Sequence, residues 1–281
     1  MSRRSPLVFE NHQLQASESG FALLFLLLLC FSNFSNANPT RGSIASEYGC
    51  DLEYEVYLPA DTASAGIEVL LAHGFKRNLA TMRGWAEHWQ ALGISTTIMT
   101  FCNSSWFNGH HQRNANDLLA LATHLGMQSP VYAGYSAGGL AAYIAALQDS
   151  RTRAYLGLDA VDSGNLAEDA TTLLERPALF ITAKPSLCNA KGNLEHVIAR
   201  YGAVQRIHIS EATHCDFEWP FDKRCNLVCG KNDEAVHQEA QTHIQALATE
   251  WLLSLPAVAD EASPHIIGDF NLRKTPAEPA Q

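Results

Sequence analysis

The chain has 281 residues, of which 47% are apolar, and its formal net charge at neutral pH is −10. This apolar content is enough to bury a large core, which excludes a mainly disordered protein and fits one domain with tails. Basic residues form no run longer than a pair such as Arg3-Arg4. Because phosphate binding needs clustered lysine and arginine, we expect no nucleic-acid partner.

Residues 1–37 have the features of a secretory signal peptide. Basic residues precede the apolar run Phe21–Phe31, which at eleven residues is too short to span a bilayer comfortably. Ser35 and Ala37 then stand at the −3 and −1 positions of a cleavage site, which predicts cleavage after Ala37. We therefore expect a secreted or periplasmic protein with no stable membrane span. An uncleaved membrane anchor is the alternative.

The cysteines support export. Cleavage after Ala37 would remove Cys30, one of seven cysteines, and leave six. Six cysteines in an exported protein predict three disulfide bonds, with fifteen pairings open. A metal site is the competing interpretation, but the spacings are irregular and no C-x-x-C pair occurs, so we expect no metal. The six cysteines are Cys50, Cys102, Cys188, Cys215, Cys225 and Cys229.

Strand-like and helix-like segments alternate along the rest of the chain. The predicted strands are Asp51–Leu58, Ile67–Ala72, Thr96–Phe101, Val131–Gly134, Tyr155–Leu158, Ala178–Thr182 and Gln205–Ile209. The predicted helices are Ala80–Leu92, Asn116–Leu125, Ala137–Leu147, Leu194–Tyr201 and Glu234–Leu255. This alternation predicts an α/β fold, with a mostly parallel sheet flanked by helices and no large cap domain. We assign residues 38–256 to one catalytic domain and 257–281 to a flexible C-terminal tail.

The segment Pro130–Ala142 carries the motif Gly134-x-Ser136-x-Gly138 between a predicted strand and a predicted helix. Strand, sharp turn and helix form the context in which this motif becomes a nucleophile elbow. The turn lifts the serine oxygen clear of the sheet and places it at a helix N-terminus, where unpaired N–H groups favour negative charge. The segment therefore predicts Ser136 as a nucleophile.

A serine nucleophile needs a base and a carboxylate that orients the base, and in this context they follow the serine in the order acid, histidine. His214 lies in a polar loop after the last predicted β-strand and is the favoured base. Asp159, at the end of the strand after the elbow helix, is the favoured acid, because the segment ITAKPSLCNAK after the next strand has no carboxylate. Asp162 is the alternative acid, and otherwise a cap or turn residue. The competing histidines are His110 and His111 in a predicted polar loop, His208, His237, His243 and His265.

Two backbone N–H groups are expected to stabilise the oxyanion of the reaction. Ala137, directly after the nucleophile, supplies one, and Phe75 in the His73-Gly-Phe loop supplies the other. We expect His73 to brace this loop by hydrogen bonds. Candidates for contact with the substrate are Trp106 and Phe107, in the loop after the next strand, and Tyr135.

The segments LLAHGFKRN, GYSAGG, LGLDAVD and ATHCDFE together resemble the α/β-hydrolase superfamily, and within it chlorophyllase-like and cutinase-like serine esterases. The resemblance spans roughly Cys50–Pro256. It implies an α/β-hydrolase fold and ester hydrolysis by Ser136, His214 and Asp159 through an acyl-enzyme intermediate, without a cofactor. The triplet Tyr-Ser-Ala at the elbow differs from the His-Ser-Arg common in chlorophyllases and the His-Ser-Met of polyester-degrading cutinases.

These observations predict an exported, monomeric serine esterase that acts on a small-molecule or lipid-like ester. Three alternatives stay open at this point. The chain could be a lipase or acyltransferase on lipid esters, a peptidase or amidase, or a catalytically silent binding protein with a hydrolase-like fold.

Overall fold

An eight-stranded sheet forms the centre of the computed structural model, which describes residues 38–60, 64–102, 109–170, 173–201, 204–229 and 233–257. The strands are β1 (Thr40–Ala45), β2 (Asp51–Tyr57), β3 (Glu68–Ala72), β4 (Ser95–Met99), β5 (Pro130–Tyr135), β6 (Ala154–Leu158), β7 (Ala178–Ala183) and β8 (Gln205–Ile209). Their order across the sheet is β1-β2-β4-β3-β5-β6-β7-β8. Strands β3 to β8 are parallel, whereas β1 and β2 pair antiparallel at one edge.

Helices cover both faces of this sheet. They are α1 (Arg83–Ala91), α2 (His111–His124), α3 (Ala137–Gln148), α4 (Glu195–Ala199), α5 (Lys223–Cys229) and α6 (Glu234–Ser254). Trp85 and Trp89 of α1 join Ile244 of α6 in the core on one face, and Leu118 of α2 joins Leu140 of α3 in the core on the other. The parallel strands are buried on both sides, as the continuous apolar runs in their sequences predict.

The α/β fold class with a mostly parallel sheet is therefore confirmed. Each predicted strand is present with its ends shifted by at most two residues, and the largest shift is that of Thr96–Phe101, which ends at Met99. No helix of the described residues is both long and apolar enough to cross a membrane. Between β6 and β7 the described residues contain only a short 3₁₀ turn, Ser163–Asn165.

Some local predictions were wrong. Helix α2 begins at His111, five residues before Asn116, so His111 is helical and buried rather than part of a polar loop. The first turn of α2 was missed because its solvent side is polar, while Asn114 and Ala115 face inward. Predicted helix Leu194–Tyr201 is limited to Glu195–Ala199.

Two short elements had not been predicted. Strand β1 is mostly exposed and lacks an apolar pattern, because it is held by backbone hydrogen bonds to β2. Helix α5 presents Leu227 and Val228 to solvent and buries Cys225, which is the reverse of the usual amphipathic pattern.

The six cysteines after residue 37 form three disulfide bonds, as the sequence predicts. The pairs are Cys50–Cys102, Cys188–Cys229 and Cys215–Cys225. The sulfur atoms of Cys215, Cys225 and Cys229 lie within 4.8 Å of one another. A cysteine binds a metal ion as a thiolate, whereas these three sulfur atoms are all bonded in disulfides. The predicted signal peptide and residues 258–281 of the predicted tail lie outside the described residues.

Candidate active site

Ser136 occupies the sharp turn between β5 and α3. Its backbone has a positive φ of 54° with ψ −124°, a strained conformation typical of a nucleophile elbow. A Cβ atom at Gly134 would overlap the carbonyl oxygen of Gly138, and one at Gly138 would overlap the carbonyl oxygen of His73. Only glycine fits on either side, which explains the spacing of the motif.

A line of hydrogen bonds joins Ser136, His214 and Asp159. These residues follow three different strands, β5, β8 and β6, at the carboxyl ends of the parallel strands. Ser136 Oγ lies 2.9 Å from His214 Nε2, and His214 Nδ1 lies 2.6 Å from Asp159 Oδ2. All three residues are buried. A carboxylate can only accept, so Nδ1 of a neutral His214 donates to it and Nε2 is left to accept from the serine hydroxyl. This arrangement can transfer the serine proton to the imidazole ring.

The carboxylate of Asp159 is held by further donors. The backbone N–H of Ala183 donates to Oδ1 at 2.9 Å, and Asn189 Nδ2 lies 3.2 Å from Oδ2. Asn189 is itself buried and also donates to the carbonyl oxygen of Lys184. The sequence does not indicate this role of Asn189, because the feature expected in the segment ITAKPSLCNAK is a carboxylate, which the segment lacks.

Asp162, the alternative acid, has a different environment. Its two carboxylate oxygens each accept a backbone N–H, from Ala167 and from Glu168, at 2.9 Å. These bonds close the turn that follows β6. The structure therefore brings Asp159, and not Asp162, to His214.

The loop that carries His214 is braced by a second histidine–aspartate pair. His214 opens the 3₁₀ turn His214–Phe217, in which Asp216 accepts the backbone N–H of Thr213 at 2.7 Å. The other oxygen of Asp216 lies 2.6 Å from Nδ1 of His237, a buried residue of α6. The sequence presents His237 only as a competing base and does not indicate this bracing contact.

The loop after β3 packs directly against the elbow. A Cβ at Gly74 would lie 2.9 Å from the Tyr135 ring and 3.3 Å from Ser136 Cβ. His73 Nδ1 donates to the carbonyl oxygen of Gly74, and Nε2 accepts the backbone N–H of Phe101. Burial lowers the pKa of His73 to about 4, so His73 is neutral and fixed in one tautomer.

The two expected oxyanion donors belong to segments that adjoin Ser136. Ala137 is the first residue of α3, where a backbone N–H has no acceptor within the helix. Phe75 follows Gly74 in the loop that packs on the elbow, and its side chain is partly exposed. The two N–H groups are thus on elements that converge on the serine.

The predicted substrate contacts have different outcomes. Tyr135 is buried, and its ring packs 4.8 Å from the His214 ring, measured between centroids. Burial raises the pKa of Tyr135 well above its usual value. Trp106 and Phe107 lie outside the described residues. A cavity of about 410 Å³ between residues 109–113 and 163–166 adjoins their loop in the chain.

Solved structures of α/β hydrolases resemble this fold. An alpha-beta serine hydrolase homologue from Coxiella burnetii matches 77% of this chain and 98% of its own length, with a TM-score of 0.56 and 15% identity. A bacterial heroin esterase matches 85% of this chain and 91% of its own, with a TM-score of 0.56 and 13% identity. The thermophilic esterase Est2 from Thermogutta terrifontis matches 80% and 95%, with a TM-score of 0.53 and 15% identity.

At these identities the likeness shows the fold alone, and this chain has the α/β-hydrolase fold. No family model matches the sequence, and no curated protein matches it. The nearer resemblance to chlorophyllases and cutinases stays a prediction.

Proposed function

We propose that this chain is a serine hydrolase that cleaves carboxylic esters. The observation that carries the proposal is the line of hydrogen bonds from Ser136 through His214 to Asp159. Ser136 Oγ attacks the ester carbonyl carbon while His214 Nε2 takes its proton. Asp159 holds the ring in position and stabilises the imidazolium that forms.

The N–H groups of Ala137 and Phe75 stabilise the oxyanion of the tetrahedral intermediate. Loss of one such donor raises the barrier by about 2.7–4 kcal/mol in comparable enzymes. His214 then returns its proton to the departing alcohol, which leaves an acyl group on Ser136. Water, activated by His214, releases the acid. These steps use no metal and no cofactor.

The same proposal includes export and the class of substrate. The signal-like residues 1–37 and three disulfide bonds support a secreted or periplasmic protein. The substrate is a small-molecule or lipid-like ester, with Trp106, Phe107 and Tyr135 as its candidate contacts.

The protein acts as a monomer, and its net negative charge argues against nucleic acid as a partner.

The test is hydrolysis of p-nitrophenyl esters, from acetate to palmitate, by protein whose disulfide bonds are formed. Ser136→Ala should abolish turnover, and Asp159→Asn should lower kcat by about 10⁴, because the neutral amide no longer selects the correct tautomer. Asp162→Asn is the matched control, since Asp162 only closes a turn, and it should leave kcat unchanged.

The alternatives have separate outcomes in the same assay. Turnover of anilides but not esters would indicate a peptidase or amidase. An added alcohol that diverts the acyl product would indicate an acyltransferase. No turnover of either substrate by folded, oxidised protein would contradict the proposal and favour a binding role.

A further inference from the structure

Three apolar side chains next to the candidate active site are almost fully exposed. Leu187, Leu227 and Val228 are 87%, 85% and 78% exposed, whereas no other large apolar side chain of the described residues exceeds 54%. Leu187 and Val228 are the chain neighbours of Cys188 and Cys229, which are bonded to each other. The disulfide, with its Cα atoms 5.6 Å apart, therefore brings the loop of Leu187 next to α5, and the three side chains are here named the apolar rim. Clustered exposed apolar groups indicate an interaction site.

The apolar rim is attached to the candidate active site on both sides. The loop of Leu187 also contains Asn189, whose side chain donates a hydrogen bond to Asp159. Helix α5, which carries the other two side chains, is joined by the Cys215–Cys225 disulfide to the turn that bears the candidate base. The rim thus has a fixed position relative to the groups that would perform the chemistry.

Four exposed cations lie within four chain positions of the apolar rim, in a chain whose net charge is −10. Lys223 and Arg224 precede Leu227 and Val228 by four positions, so they share the solvent face of α5. The neighbouring acid, Asp222, pairs with Arg77. No ion pair joins any of the cations around the rim to another described residue. These four exposed cations are Lys184, Lys191, Lys223 and Arg224.

We propose that the apolar rim and its four cations are a docking surface for an anionic lipid bilayer. Leucine and valine side chains would enter the boundary between headgroups and acyl chains, while the cations meet the lipid phosphates. What this inference says about the substrate rests on the proposed esterase function. The substrate class becomes amphiphilic esters held in a lipid surface, delivered to Ser136 from the membrane side.

The test is binding to vesicles, measured by co-sedimentation with the inactive variant Ser136→Ala so that hydrolysis plays no part. Residues 38–281 are used, because residues 1–37 contain an apolar run that could bind lipid itself and all described elements lie after them. The vesicles are phosphatidylcholine alone, or phosphatidylcholine mixed with phosphatidylglycerol. We expect binding to the mixed vesicles, weakened by salt, and little binding to the neutral ones.

Two sets of variants separate the contributions of the apolar and the charged groups. Leu187→Ser and Leu227→Ser should each weaken binding by on the order of tenfold. Lys223→Gln and Arg224→Gln should each weaken it by about fivefold, and only on anionic vesicles. Thermal unfolding of every variant checks that the fold is intact.

Leu92→Ser with Leu253→Ser is the matched control for removing exposed leucines. Leu92 and Leu253 are 44% and 49% exposed. Helix α6 begins shortly after α5. At 1.5 Å per residue, Leu253 lies about 28 Å along α6 from its first turn. The control should bind anionic vesicles as tightly as the parent protein.

Three other outcomes of the vesicle experiments would overturn the docking proposal. Equal binding to neutral and anionic vesicles would contradict the role of the cations, and equal loss in the control would contradict the role of the rim. A dimer in sedimentation that Leu227→Ser dissociates, without vesicle binding, would show that a second copy covers the rim. Failure of ester turnover with intact vesicle binding would instead contradict only the proposed function.

Discussion

Arg77 and Glu218, which are 141 residues apart in the chain, form an ion pair in which Arg77 Nε donates to Glu218 Oε1 at 2.6 Å. Arg77 belongs to the loop that carries Phe75, and Glu218 directly follows the 3₁₀ turn that begins with His214. The pair thus connects the expected oxyanion loop to the loop of the candidate base. Glu218 is fully buried, and that burial raises its pKa.

Breaking this pair should cost both stability and turnover. Arg77→Met leaves a buried carboxylate without its cation, which should lower the free energy of unfolding by roughly 3 kcal/mol. The double variant Arg77→Met/Glu218→Met removes the stranded charge and should recover most of that loss. Because the two loops lose their connection, kcat should fall by about 10-fold or more in both variants. Urea unfolding and ester kinetics measure the two effects.

Arg151→Met is a matched control for the loss of an ion pair. Arg151 pairs with the buried carboxylate of Asp149 at 2.9 Å, at the C-terminal end of α3 and away from the elbow. This variant should lose stability and keep its kcat. An equal loss of kcat in Arg151→Met would show that the effect of Arg77 is only instability.

Asn189 should act as a positioning residue for Asp159. Asn189→Asp would place a second carboxylate beside Asp159, and the added negative charge would favour the protonated form of His214. The acidic limb of the kcat/KM profile should therefore move to higher pH. Asn193→Asp is the control, because Asn193 contacts the backbone of Asp162 and should leave that limb in place. A common shift in both variants would contradict the assignment.

His73 should make the stability of the fold depend on pH. Its pKa is about 4 in the folded protein, lowered by burial from a usual value near 6.5. Between these values the unfolded chain binds a proton that the folded chain does not. The free energy of unfolding should therefore have its full value above pH 6.5 and decrease as the pH drops toward 4.

The effect of His73 is about 3 kcal/mol across that interval. His73→Asn keeps a donor for the Gly74 carbonyl and removes the titration, so it should be less stable at neutral pH but lose less on acidification. Urea unfolding at several pH values measures the difference between the two proteins. Identical slopes would contradict this role of His73.

The Cys215–Cys225 disulfide should stabilise the loop of the candidate base. Cys215→Ala/Cys225→Ala should lower the free energy of unfolding by about 2–4 kcal/mol, because the unfolded chain is less restricted. Both cysteines are replaced together because a single free thiol would lie within 4.8 Å of Cys229 and could exchange with its disulfide. Thermal unfolding and residual kcat are measured, and an unchanged melting temperature would contradict the expectation.

Which parts could be predicted from sequence depends on how local their causes are. The elbow is a local structure, since Gly134 and Gly138 are required by contacts within a few residues and with one adjacent loop. Helix α5 could not be predicted, because two disulfides hold it and no apolar pattern marks its inward face. The start of α2 likewise has no apolar periodicity that marks it. Burial of its first turn in the tertiary structure decides where this helix begins.

The sequence by itself determined the alternating α/β order, the turn at Ser136 and the short set of residues from which its partners had to come. Apolar periodicity and glycine sterics act between near neighbours, so they can be read along the chain. Only the tertiary structure decided that Asp159 rather than Asp162 reaches His214, and how the cysteines pair. It alone also revealed the contact between Asp216 and His237. Such contacts depend on how distant segments pack, and residue spacing carries no record of that packing.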